Sequence, residues 1–179
     1  MTYYGGKELA NAFRTVRKNT LQLAEEIPET QYSYAAAPET RSVGQMLTHI
    51  AIAPRFAEEI HGKKRVTTLA GFDFFAVLDQ FKAEEAKTRT KAEILELLRT
   101  EGERFAGWLE TLTPEFLAEI VTDPDGKTEK SRFERLLGTK EHEMHHRAQL
   151  MLIERQLGIV PHLTRQFNER MAQMRAARA

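Results

Sequence analysis

From Lys7 to Ile27 the apolar residues Leu9, Phe13, Val16, Leu23 and Ile27, with Thr20 filling one step, alternate spacings of four and three. That is the rhythm of a helix buried along one stripe in a bundle, and Pro28 stops it. The following dozen residues, through Ala35-Ala36-Ala37-Pro38, carry no period and read as a long connection. Ser42 opens a second helix, with Gln45 completing a capping box, and Met46, Ala53, Phe56, Ala57 and Ile60 project on one face of it. Pro54 lies inside this helix, removes the hydrogen bond to the Ile50 carbonyl and predicts a kink. Thr90 and Glu93 form a further capping box before a helix with Ile94, Leu98, Phe105, Trp108 and Leu112 inward. Thr113-Pro114 starts a short helical turn, and Asp123-Pro124-Asp125-Gly126 reads as a tight turn in a small hairpin.

Ser131 and Glu134 cap the last long helix, which Gly158 ends. Here Phe133, Leu137, Met144, Ala148, Met151 and Leu152 read as the core face. Lys140, Glu143, Arg147 and Glu154 read as the solvent stripe, with Glu143 and Arg147 a surface pair one turn apart. Phe72, Phe74, Phe75 and Phe81, four of the ten phenylalanines, fall in a crossover helix and offer either an apolar substrate pocket or a plug for one end of the core. The pattern is all-α, a helical bundle with a crossover connection and short extra helices. At 179 residues one domain is expected over 1–179, with a basic helix or tail at 165–179.

Lys plus Arg and Asp plus Glu number 26 each, so no global field favours nucleic acid or an anionic membrane. Cysteine is absent, which removes disulfides, thiolate-bound zinc and a protein thiol nucleophile. No apolar run approaches the ~20 residues of a membrane helix and no leader is evident at the start, so a soluble cytoplasmic protein is expected.

The candidate chemistry is histidine. Three of the six histidines fall in His142-Glu143-Met144-His145-His146. His142 and His146 are one turn apart, about 40° in projection, and face the same ion; His145 points about 100° from His146. His49 shares the apolar face of the second helix and points inward as a third ligand. Three neutral imidazoles and an open position form the arrangement of a catalytic rather than a structural metal site.

The stretch from Ser42 to His49 reads S-x-x-x-x-L-x-H and that from His142 to Leu150 reads H-x-x-x-H-R-x-Q-L. The pair resembles the DinB/YfiT-like superfamily. The resemblance implies a four-helix bundle, usually a homodimer, with one divalent metal on three histidines, and in some members a transferase using low-molecular-weight thiols. Zn²⁺ or Ni²⁺ suits imidazole ligands best. The expected activity is activation of a thiol or of water at His49, His142 and His146 toward a small-molecule substrate. Thiol S-transfer comes first, with metal-dependent hydrolysis or a non-catalytic metal-binding bundle as alternatives.

Two other patterns compete. His142-Glu143-x-x-His146 matches the zinc-peptidase motif, but Gln149 and Leu152 stand where its metzincin extension needs Gly and His. Glu58-x-x-His61 and Glu143-x-x-His146 match the repeated pair of di-iron bundles, although Glu58 projects away from His49.

Overall fold

In the computed structural model, which describes residues 4–178, helix α1 (Gly6–Glu26) buries Leu9, Phe13, Val16, Thr20 and Leu23. Residues 1–3, part of the N-terminal stretch read above, and residue 179, the last of the basic tail, lie outside the description. The Tyr32 hydroxyl donates to the Ala24 carbonyl at 2.8 Å, which satisfies a backbone acceptor of the last turn of α1. Helix α2 (Val43–Ile52) begins at the expected capping box: Ser42 Oγ accepts from the Gln45 amide and Gln45 Oε1 accepts from the Ser42 amide. Pro54 then interrupts the helix at Ala53. It resumes as α3 (Pro54–Ala57) and widens over Glu58–Lys63, where the Lys64 amide donates to a carbonyl five residues back, that of Glu59.

Helix α4 (Phe74–Glu85) crosses to α5 (Lys91–Glu110); α6 (Pro114–Ala118) follows. Strand β1 (Ile120–Thr122) pairs antiparallel with β2 (Glu129–Ser131), Val121 opposite Lys130. In the turn between them Asp125 accepts from the amides of Lys127 and Thr128 and from the Thr128 hydroxyl, so this aspartate builds the turn. Helix α7 (Arg132–Gln156) and α8 (His162–Ala176) complete the chain. No described helix is long and apolar enough to cross a membrane.

The α1, α2–α3, α5 and α7 segments form a four-helix bundle in which α1 and α2 each touch both α5 and α7. Its apolar interior has two parts. One gathers Leu23, Leu47, Ile50, Leu98 and Leu150; the other gathers Leu9, Phe13, Phe105, Leu109 and Leu136. Between them along α1 and α7 lie Arg17 and Glu143, 4% and 2% exposed. Arg17 Nε reaches both Glu143 oxygens at 3.0 and 3.1 Å, and its Nη1 donates to the Leu98 carbonyl at 2.7 Å. Its Nη2 donates to Glu143 Oε2 at 3.0 Å and to the Ile50 carbonyl at 3.1 Å. That carbonyl is the acceptor Pro54 leaves without a helical partner. Gly102 leaves room for this guanidinium, since a Cβ there would lie 2.9 Å from Arg17 Cγ and Nη1.

The two faces of α7 are therefore not those expected from the sequence. Glu143 and Glu154 are buried, while Met144 and Leu152 are 42% and 59% exposed. Arg132, Glu143 and Glu154 recur every eleven residues, about 20° apart in projection, and all three turn into the bundle. Glu143 pairs with Arg17 of α1 and not with solvent. The phenylalanine cluster also differs from a pocket lining: Phe74 stacks on Phe56 and Phe72 meets it edge-on around Ile60, Leu69 and Val121, and Phe75 is 79% exposed. A cavity of about 730 Å³ lies between the start of α2 and the α4–α5 connection, and its wall holds Thr48, Glu85 and Arg89 but none of these phenylalanines.

Candidate metal centre

Helix α2 and the middle of α7 meet where His49 faces His142. Their Nε2 atoms are 3.1 Å apart, and His142 Nε2 is 3.2 Å from His146 Nε2. One ring nitrogen from each of the three residues lies within 4.8 Å of the other two. The residues expected from the sequence to form one site are thus brought together. His145 is exposed and turned to Gln149, its Nε2 accepting from the Gln149 amide nitrogen at 3.3 Å.

The opposite ring nitrogens of His49 and His146 are held by partners. His49 Nδ1 lies 2.6 Å from Glu85 Oε1, and Arg41 Nε donates to Glu85 Oε2 at 2.7 Å. Burial alone would raise the Glu85 pKa, but bonds from Arg41 and His49 hold the carboxyl below its usual range. Glu85 is an ionised acceptor, so His49 carries its proton on Nδ1 and presents a bare Nε2. His146 Nδ1 is 2.8 Å from Gln149 Oε1, an acceptor, and fixes the same tautomer there. Burial, followed by the neighbouring imidazoles, pushes the His142 pKa down to about 4, and burial lowers those of His49 and His146.

With bare Nε2 atoms on His49 and His146, a neutral His142 can donate an Nε2 proton to only one of them, so at least one of the 3.1 and 3.2 Å contacts sets lone pairs against each other unless a positive centre stands between. Ligands 2.0–2.1 Å from a tetrahedral ion are about 3.3 Å apart, so the two spacings from His142 suit a divalent metal. The donors are three neutral nitrogens, the set that suits Zn²⁺ or Ni²⁺.

The matching of the chain to known families agrees with this geometry. Residues 12–150 match the model of the DinB superfamily. The chain belongs to that superfamily. No curated protein sequence matches it. Among solved structures, YfiT from Bacillus subtilis, described as a probable metal-dependent hydrolase with an unusual four-helix bundle topology, superposes with a TM-score of 0.67 at 18% identity over 89% of this chain and 91% of that one. The DinB-like protein YjoA from Bacillus subtilis gives 0.62 at 22% identity over 84% and 92%. A mycothiol-dependent maleylpyruvate isomerase gives 0.60 at 12% identity over 82% and 62%. At these identities the likeness is one of fold.

Within this DinB-type bundle the two competing patterns lose their chemistry. Glu143 spends both oxygens on Arg17, so it has no position as the general base of a peptidase. Glu58 pairs with Arg104, and buried His61, its pKa pushed down to about 4 by burial and then Arg132, lies 3.0 Å from an Arg132 nitrogen. Neither residue belongs to the histidine cluster. Two supporting residues escaped the sequence reading. Arg17 falls between Phe13 and Thr20 on the buried stripe of α1, a position whose charge demands an interior partner. Glu85 is 36 residues from His49 with no spacing to connect them.

Proposed function

We propose that this protein is a metal-dependent enzyme in which His49, His142 and His146 hold one divalent ion, Zn²⁺ or Ni²⁺, to activate a thiol for transfer to a small electrophilic substrate. The reading rests on one observation: His142 Nε2 lies 3.1 and 3.2 Å from the Nε2 atoms of His49 and His146, whose Nδ1 atoms are both turned to acceptors. A bound divalent ion lowers the pKa of a coordinated thiol or water by supplying positive charge that neutral ligands leave uncancelled. The protein residues orient the ligands and hold their protons away from the centre. The chain has no cysteine, so the thiol arrives as a low-molecular-weight cosubstrate. The likeness to a mycothiol-dependent enzyme supports that choice, and the likeness to YfiT supports water as the nucleophile in a second reading.

Protein loaded with zinc or nickel and supplied with a panel of low-molecular-weight thiols and electrophiles should consume thiol and electrophile together. Thiol-independent ester or amide hydrolysis would select the second reading, and no turnover of either kind by the loaded protein would leave a non-catalytic metal-binding bundle. We also infer a homodimer, supported by Met144, Ala148 and Leu152, which line one exposed face of α7. Sedimentation should give twice the chain mass of 20.6 kDa, and Leu152→Asp should reduce it to one; a wild-type monomer at tens of micromolar would contradict this.

A further inference from the structure

Helix α4 is weakly anchored for its length. Val77 is its buried residue; Phe75 and Leu78 are 79% and 45% exposed, while Phe74 and Phe81 lean on Phe56 with ring centroids 5.9 and 6.4 Å away. Its last residue behaves differently. Glu85 is 11% exposed, reaches His49 Nδ1 at 2.6 Å, and is clamped from the other side by Arg41 of the connection before α2. One carboxylate therefore ties the end of a loosely packed crossover helix to a candidate metal ligand.

We propose that Glu85 is a positioning residue for the metal centre, and that through the Glu85–His49 bond metal binding and the docking of α4 are one coupled equilibrium. The proposal rests on the three-histidine reading above. Two physical effects carry it. The acceptor fixes the His49 tautomer that aims Nε2 at the other histidines, and an anion behind the ring makes that nitrogen a stronger donor. An ion drawing electron density from His49 in turn makes its N–H more acidic and tightens its bond to Glu85. By linkage, whatever free energy Glu85 lends to metal binding, the metal returns to the docking of α4. Glu85 also belongs to the wall of the 730 Å³ cavity, so a molecule bound there touches the residue that supports His49.

Zinc affinity of the full chain, measured by competition with a chromophoric chelator, tests the first half. Glu85→Gln keeps an acceptor and removes the charge; Glu85→Ala removes both. The account expects wild type, Gln and Ala in falling order, with the alanine variant weaker by roughly ten- to a hundredfold and all three still saturating at about one ion per chain. With Co²⁺ as probe, the ligand-field bands should move in Glu85→Gln, a signature that loss of packing alone does not give. Hydrogen exchange tests the second half. Zinc should slow exchange across 74–85 in wild type, and by less in Glu85→Ala. Wild-type affinity in both variants, or exchange in α4 that ignores zinc, overturns the proposal. A wild-type chain that binds no zinc overturns the three-histidine reading and this one together, and the wild-type titration distinguishes that outcome from failure of Glu85 alone.

Discussion

Arg17 holds both oxygens of Glu143, and Glu143 stands next to His142 while Ile50, whose carbonyl Arg17 also takes, stands next to His49. At the scale of single residues this buried ion pair ties the two histidine-bearing helices together through α1. Removing Glu143 leaves the buried Arg17 guanidinium without a counter-charge. Glu143→Ala should therefore lower the unfolding free energy by about 3–5 kcal/mol in a denaturant titration, and adding Arg17→Met should restore part of it. A loss below about 1 kcal/mol would return Glu143 to the surface role that its sequence context suggests. The clustering of three histidines was legible because two of them share a helical turn and the third shares a face with Met46 and Phe56. Arg17 was legible in principle, as a charge on an apolar stripe. Glu85 was not, because its bond to His49 is made across the crossover and leaves no local pattern.

Among the elements, the caps, the Pro54 interruption and the hairpin follow from short-range chemistry and were readable residue by residue. The orientation of α7 was not. Charged residues are assigned to solvent because they are seldom buried unpaired. Here Arg132 and Glu143 are buried against partners contributed by other elements, and the apolar Met144 and Leu152 are left outside.

Glu154 is the exception, fully buried with neither carboxylate oxygen bonded among the described residues, as is His162 of α8 with both ring nitrogens. Burial, with Glu26 beside it, raises the Glu154 pKa from 4.5 to about 7. The folded chain thus holds a proton that the unfolded chain releases between these values. Stability from this group is fully present below about pH 4.5 and is lost as pH rises through 7. The buried histidines, whose pKa values are lowered, slope the other way, so the comparison with Glu154→Gln isolates the carboxyl. The variant should match wild type near pH 4 and exceed it at pH 8 by on the order of 1–3 kcal/mol. Equal pH dependence of the two proteins by thermal or denaturant unfolding would contradict the assignment.

At the scale of the whole molecule, the bundle packs two apolar clusters around one buried ion pair and brings His49 and the α7 histidines together at its wall. Burial keeps these imidazoles in the neutral, ligating form, with His142 at about 4, so protons compete weakly with a metal at neutral pH. The central claim is that His49, His142 and His146 act as one three-nitrogen site with His145 outside it. Zinc titration of the wild-type chain and of the four histidine-to-alanine variants at pH 7 tests this most directly. The account predicts about one ion per chain in wild type and collapse of affinity in His49→Ala, His142→Ala and His146→Ala. For His145→Ala it predicts a loss of no more than about ten- to a hundredfold. No binding by wild type, or binding abolished by His145→Ala but kept by His142→Ala or His146→Ala, would contradict it.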